Sequence, residues 1–213
     1  VLFFMKLKTD LVIMGSGMAG ISAADAALAR GKKVIVFEKK PYQGGAVSNC
    51  PIAYVSIRKD RAFQNAAFHL LYEYSNYNAN PSVIRQYVNN SWRTKEYIER
   101  LGIKMIPTQQ LELEDIGDPK YADGFPPAVM AHGDFYLVPG RGKGHGGALI
   151  CLNAMKDIIK RGGQYMLNTP ITDILVDENG KVTGVKAVNN ETKEEIEVIG
   201  DRMEKIISFL KKW

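Results

Sequence analysis

Two short apolar runs near the N-terminus set the pattern of the chain. Asp10 to Met14 ends in "LVIM" and Lys33 to Phe37 reads "KVIVF", and brief apolar runs bounded by turn residues predict strands buried on both faces. Between them, Met18 to Arg30 ("MAGISAADAALAR") carries helix-compatible small residues on every side and meets Gly31 as a stop, which predicts a helix packed closely on a sheet. Strand, turn, helix, strand is a βαβ unit with parallel strands.

Further along, the apolar spacing changes. Arg61 to Tyr77 is rich in helix formers and aromatics. The segment "NPSVIRQYVNNSWRTKEYIERLG" then offers Asn80 as cap, Pro81 in the first turn, apolar positions Ile84, Tyr87, Val88 and Ile98, and Gly102 as terminator, so two helices are expected after the βαβ unit. Thr108 to Gly146, with "GDPKYADGFPP" and "PGRGKGHGG", reads as loop. Gly147 to Arg161 is an amphipathic helix ended by Gly162 and Gly163. "QYMLN", "ITDILVD", "KVTGVKAV" and "EEIEVI" then read as strands, with "DENG" and "NNET" as hairpin turns. This predicts an antiparallel meander attached to the parallel sheet. The last residues, 201–213, put Met203, Ile206, Ile207 and Leu210 on one helix face, which either packs on its own domain or meets a partner.

Composition narrows the function classes. The 213 residues carry a formal net charge of +5, but the basic residues are spread along the chain without a basic stripe interleaved with aromatics, so nucleic acid is not an expected partner. Cys50 and Cys151 are the only cysteines; they lie far apart with no His or Cys at metal-ligand spacing, so neither a disulfide framework nor a metal site is expected and a cytoplasmic location is. "VLFF" at the start is too short for a signal core or a membrane span, and Met5 is a candidate start.

The chemistry sits in "LVIMGSGMAG". Gly15, Gly17 and Gly20 have GxGxxG spacing, with a strand before them, a helix after them, and Glu38 at the end of the second strand, the context that makes this a dinucleotide-binding fingerprint. Gly15 permits the tight turn, Gly17 lets a pyrophosphate approach the backbone, and Gly20 allows close helix packing. Glu38 suits an adenosine ribose and repels a 2′-phosphate. NAD and FAD both remain open on this motif. A second glycine pair, Gly44 and Gly45, followed by Ser48 and Asn49, is either an ordinary turn or a second loop of free N–H groups suited to the longer FAD pyrophosphate and ribityl chain.

"DLVIMGSGMAGISAADAALARGKKVIVFEKKPYQGG" and "GGALICLNAMKDIIKRGGQYMLNTPITDILVDENGKVTGVKA" together resemble the flavoprotein family of fumarate reductase and succinate dehydrogenase, including its soluble FAD-dependent relatives, as does the helix entry "YSNYNANPSVIRQYVNNS". The resemblance covers Thr9 to Ile199. It implies an α/β fold: a Rossmann-like FAD-binding domain with a parallel sheet, a helical insert and an antiparallel β-meander, spanning residues 5–200, with 201–213 as an amphipathic C-terminal helix. It implies FAD contacts at Gly15, Gly17, Met18, Ala19 and Gly20 (phosphate turn), at Glu38 with Lys39 beside it (ribose), and at Gly45, Ala46, Val47, Ser48 and Asn49 (pyrophosphate and ribityl region). Ile171 falls where the family's adenine meets a backbone amide; read alone, it is a core strand residue.

Departures from the family shape the expectations. No His stands near "NCPIAY", where membrane-complex members attach flavin covalently, so the expected FAD is non-covalent; Cys50 reads as a buried free thiol, with a flavin linkage as the alternative. The family's capping domain, which supplies a catalytic Arg and substrate-binding His residues, has no counterpart here, so truncation is expected and no catalytic residue is assigned. His145, beside Arg141 and Lys143, either faces flavin or an anionic substrate or sits in a solvated basic loop, while His69 and His132 read as structural or exposed. The resemblance implies hydride transfer from reduced flavin to an unsaturated dicarboxylate or similar acid. The alternatives are a non-catalytic, truncated or split FAD-binding module needing a partner chain, a homo-oligomer, and, less favoured with one nucleotide half visible, an NAD-dependent enzyme.

Overall fold

The computed structural model describes residues 4–49, 53–107, 133–137 and 145–200. Its elements run β1 (Phe4–Lys8), β2 (Leu11–Met14), α1 (Met18–Leu28), β3 (Val34–Phe37), β4 (Ala53–Ile57), α2 (Arg61–Tyr74), α3 (Pro81–Asn90), α4 (Arg93–Arg100), β5 (Ile106–Pro107) and β6 (Gly133–Leu137). The chain continues with α5 (His145–Lys160), β7 (Gln164–Met166), β8 (Ile171–Val176), β9 (Val182–Val188) and β10 (Glu195–Ile199). These form two compact units, Val1–Cys50 with Gly147–Trp213, and Pro51–Gly146.

The first unit carries the parallel sheet and the meander of the expected α/β fold. β2, β3 and β7 form a parallel sheet with β3 in the middle, paired from Leu11↔Val34 to Met14↔Phe37 on one side and from Ile35↔Gln164 to Phe37↔Met166 on the other. All four residues of β3 are buried, as a central strand covered on both faces requires. α1 buries Gly20, Ile21 and Ala24. The meander sheet has the order β1-β10-β9-β8. Its core residues Val185, Ala187, Ile196 and Val198 pack with Val12, Ile35 and Phe37 of the parallel sheet. Burying this shared core stabilises the unit by about 25 cal/mol per Å² of apolar surface removed from water.

One expectation is corrected in this unit. "QYMLN" does not open the meander: its Gln164–Met166 portion is the third parallel strand. The N-terminal segment is also a strand, β1, lying parallel to β10 from Phe4↔Glu195 to Lys8↔Ile199. Met5 and Leu7 turn inward onto the core while Lys6 turns outward and pairs with Glu197 at 3.3 Å.

In the second unit, β6 pairs antiparallel with β4 and with β5. The segment Thr108 to Gly146 expected as loop therefore contains a strand at Gly133–Leu137, and α5 begins within it at His145; 108–132 and 138–144 lie outside the described residues. α2 is capped by Asp60, whose Oδ1 accepts from the N–H groups of Ala62 (2.9 Å) and Phe63 (3.1 Å). α3 is capped by Asn80 with Pro81 in its first turn, as expected. The long helix expected to reach Gly102 is two helices. It breaks at Ser91, buried at 4% exposure, whose Oγ accepts a hydrogen bond from Ile57 N at 2.9 Å. Ile57, Ala67, Ile84 and Val88 form the core of this unit. The C-terminal helix expected at 201–213 lies outside the described residues.

Candidate functional site

The glycine loop joins β2 to α1, and its three glycines have three different physical reasons. Gly15 has φ +93°, a left-handed backbone that side chains rarely adopt. A Cβ at Gly20 would lie 2.0 Å from Gly15 O and 3.2 Å from Ile13 Cγ2, so the helix touches the turn there without room for a methyl group. Gly17 is otherwise: its φ of −68° suits any residue, and among the described residues a Cβ there would meet nothing within 4 Å. Neither the backbone nor the packing requires glycine at 17.

Gly17 is the N-cap of α1, with no side-chain cap and no acidic residue in the first turn. The first N–H groups of the helix lack intrahelical partners and mark its positive dipole end. Across from it, a Cβ at Gly45 (φ +54°) would stand 3.8 Å from Gly17 Cα. The two glycine loops therefore abut, and form a cradle of bare backbone at a helix N-terminus, the setting in which phosphate groups bind.

Ser16, which glycine spacing alone does not single out, ties this cradle together. It is fully buried. Its N–H and its hydroxyl both donate to Glu38 Oε2 at 2.9 Å, and its Oγ and carbonyl oxygen both lie 3.1 Å from Gly44 N. Glu38 is buried at 5% exposure, and its Oε1 accepts from Lys40 N at 3.0 Å. A carboxylate offers about four lone-pair sites. Three donors already occupy Glu38, which leaves capacity for one more, such as a ribose hydroxyl. The carboxylate thus has a structural task beside the expected ligand contact. Lys39 is exposed.

The "NTP" turn reaches the same place. Thr169 N donates to Glu38 O and Asn168 N to Lys40 O, each at 2.8 Å, and two residues on, Ile171 opens β8 with its side chain half-buried against the shared core. Ser48 Oγ donates to Gly45 O at 2.8 Å, inside a short 3-10 turn over Val47–Asn49. Met18 is half-buried, and Ala19 and Ala46 are exposed. The structure therefore gathers Gly15 to Gly20, Glu38, Gly44 to Ser48 and the turn before Ile171.

Cys151, on α5, supports the second loop from below. A Cβ at Gly44 (φ +106°) would come within 2.9 Å of its Sγ. Burial pushes the Cys151 thiol up to about 11, so it is a packing group and not a nucleophile. His69 is exposed on α2, its ring edge-on to Phe68 at 5.5 Å. The side chain of His145 and all of Cys50, His132, Arg141 and Lys143 lie outside the described residues, as does the side chain of Asn49. Among the described residues there is no cluster able to hold a metal ion, and no helix is long and apolar enough to cross a membrane.

Comparison with known proteins agrees with the geometry. The sequence profile of the FAD binding domain matches residues 10–203. An NADH:fumarate oxidoreductase of Klebsiella pneumoniae is 31% identical over 198 residues, 89% of this chain but 19% of that protein. Among solved structures, the quinol fumarate reductase of E. coli superposes with a TM-score of 0.68 at 18% identity, over 92% of this chain and 32% of that one. A 3-ketosteroid-delta4-(5alpha)-dehydrogenase from Rhodococcus jostii RHA1 does so with 0.64 at 16% identity, over 91% of this chain and 44% of that one. The chain thus spans about a fifth of the length of its curated relative. It belongs to the FAD-binding-domain family, the flavoprotein family of fumarate reductase and succinate dehydrogenase.

Proposed function

We propose that this chain is the FAD-holding part of an oxidoreductase that adds hydride from reduced flavin, with a proton, across the double bond of an unsaturated dicarboxylate or a similar acid. The observation that carries the reading is Gly17, bare without any need of the fold, facing Gly45 at a helix N-terminus. When bound, FAD supplies hydride transfer at carbon. The chain's own residues do the rest: the first turn of α1 receives the phosphates, Ser16 and Lys40 hold the Glu38 carboxylate beside the ribose, and Gly45 to Asn49 follow the pyrophosphate toward the ribityl chain. The name of the Klebsiella relative supports fumarate as the first substrate to try; the ketosteroid dehydrogenase of similar fold shows that the fold alone does not select it. The FAD is taken as non-covalent, since the sequence carries no His within the stretch "GGAVSNCPIAY".

That this chain spans 19% of its relative favours a second reading beside the first: a module that binds FAD while a partner chain or further domain completes the chemistry. Both readings share one test. Purified protein incubated with FAD and passed through gel filtration should keep flavin absorption, and acid precipitation should release FAD into the supernatant. Flavin retained in the pellet refutes non-covalent binding, and retention of NAD without FAD, or of no nucleotide, refutes both readings.

A further inference from the structure

The second unit holds a cleft of about 670 Å³ between the start of α2 and the turn that joins α3 to α4. Its size is that of a small-molecule site, but such sites are mostly apolar, and this one is not. Lys59, Arg61, Arg85 and Arg93 line it, with side-chain amides that include Asn65 and Asn89, and among the described residues none that lines it is acidic. The neighbouring Asp60 is spent on capping α2. Four like charges converging on one concavity repel one another, and a cleft lined by one sign of charge concentrates counter-ions.

Three of the four cations are held in place before any ligand arrives. The Arg85 guanidinium lies 3.9 Å from the centre of the Phe68 ring and donates to Asn65 Oδ1 at 3.0 Å. Lys59 Nζ stands 4.2 Å over the Trp92 ring and the Arg93 guanidinium 5.2 Å from its centre. The Trp92 indole N–H is fixed by Asn89 O at 2.9 Å. Guanidinium groups held by aromatic faces lose little freedom on binding, and their planar forks match tetrahedral oxyanions in pairs. We infer that this cleft binds a small molecule bearing a di- or triphosphate group, at a site separate from the glycine cradle. Phosphate fits better than a single carboxylate, because three guanidinium forks and several amide donors present more N–H groups than one carboxylate accepts.

The test uses the full chain saturated with FAD, so that the glycine cradle is filled, and reads tripolyphosphate binding by calorimetry and by Trp92 fluorescence in a Trp213→Phe background. At matched ionic strength, tripolyphosphate should bind at least about tenfold more tightly than sulfate, and Arg61→Gln with Arg93→Gln should weaken it by at least about tenfold, the equivalent of one charge-assisted hydrogen bond. FAD retention and the circular dichroism of the double variant should be unchanged. ATP binding more tightly than tripolyphosphate would assign a nucleotide as the source of the phosphates, and equal affinity would assign free polyphosphate. Equal tripolyphosphate affinity in wild type and variant would overturn the inference. So would a 20-nucleotide single strand that binds far more tightly than tripolyphosphate with a steep salt dependence, which marks a polymer-binding surface. Should the chain retain no FAD, the proposed function fails while the arginine comparison still decides this site.

Discussion

At the residue scale, the glycine loop separates what the fold needs from what a ligand needs. Gly20→Ala forces a methyl group against Gly15 O and should lower stability by about 2–3 kcal/mol, the cost of overpacking a tight contact. Gly17→Val places its side chain in open space at an extended N-cap. It should change stability by under about 1 kcal/mol yet abolish FAD retention through gel filtration, because the added carbons fill the phosphate approach. Urea melts of both variants, paired with flavin retention, check this; a Gly17→Val protein that keeps FAD contradicts the cradle. Glu38→Ala removes three internal hydrogen bonds as well as the proposed ribose partner. It should therefore weaken FAD binding by roughly 1–3 kcal/mol and also lower the urea midpoint, whereas a pure ligand contact would change affinity alone. Cys151 supplies a pH signature. Its thiol pKa, raised by burial from the ordinary 9.0 to about 11, means the folded state holds the proton more tightly than the unfolded chain. The stability linked to it is full below about pH 9 and is lost as pH climbs through about 11. In a Cys50→Ser background, the rate of labelling with a disulfide reagent should keep rising up to about pH 11; a plateau near 9.0 would mean that the thiol is solvated. Glycine spacing made Gly15, Gly17, Gly20 and Glu38 legible in the sequence. Ser16 was not, because its role depends on two loops meeting, and the "GSG" spelling carries no sign of a hydroxyl turned inward.

At the element scale, the parts set by local pattern were legible and those set by distant partners were not. α1, β2, β3 and the α3 cap follow from apolar runs, small residues and an Asn-Pro start, and appear within a few residues of their expected bounds. β1 is not legible, although "FMKLK" alternates inward and outward along its length, because its partner β10 lies at the far end of the unit's sequence. β7 is three residues long and joins β3 rather than the meander, a choice that periodicity cannot make. The break at Ser91 comes from a hydroxyl that caps the end of β4, again a tertiary demand overriding a helical pattern. One contact between elements is open to measurement. Arg161, just past α5, bonds to the side chain of Asp25 on α1 and, at 3.0 Å each, to Asp157 Oδ2 and Asp25 O. Burial works against its charge, but the bonds to the two aspartates prevail and raise its pKa. Arg161→Met should lower stability by about 1–2 kcal/mol, since a partly buried forked pair exceeds an exposed one. A urea midpoint unchanged from wild type would show that α1 and α5 are held by apolar packing alone.

At the scale of the whole molecule, the question is how much chemistry this length of chain performs alone. The described residues around the cradle are glycines, Met18, Ala19, Ser16, Ser48 and a Glu38 already bonded three times, and among them there is no side chain poised to give a proton to a substrate carbon. The chain also spans 19% of the NADH:fumarate oxidoreductase it matches. Holding flavin and delivering a proton are separable tasks, and a positioned proton donor contributes roughly 10²–10⁴-fold. The FAD-loaded 213-residue chain, reduced under anaerobic conditions by dithionite or a viologen, should therefore reduce fumarate well below about 1 s⁻¹, the lower end of ordinary enzyme turnover. Turnover at or above that rate would mean that a proton donor lies within this chain outside the described side chains. His145, at the start of α5 and within the glycine-rich stretch "RGKGHGG", is the residue whose replacement by Gln would then have to abolish the activity without releasing FAD.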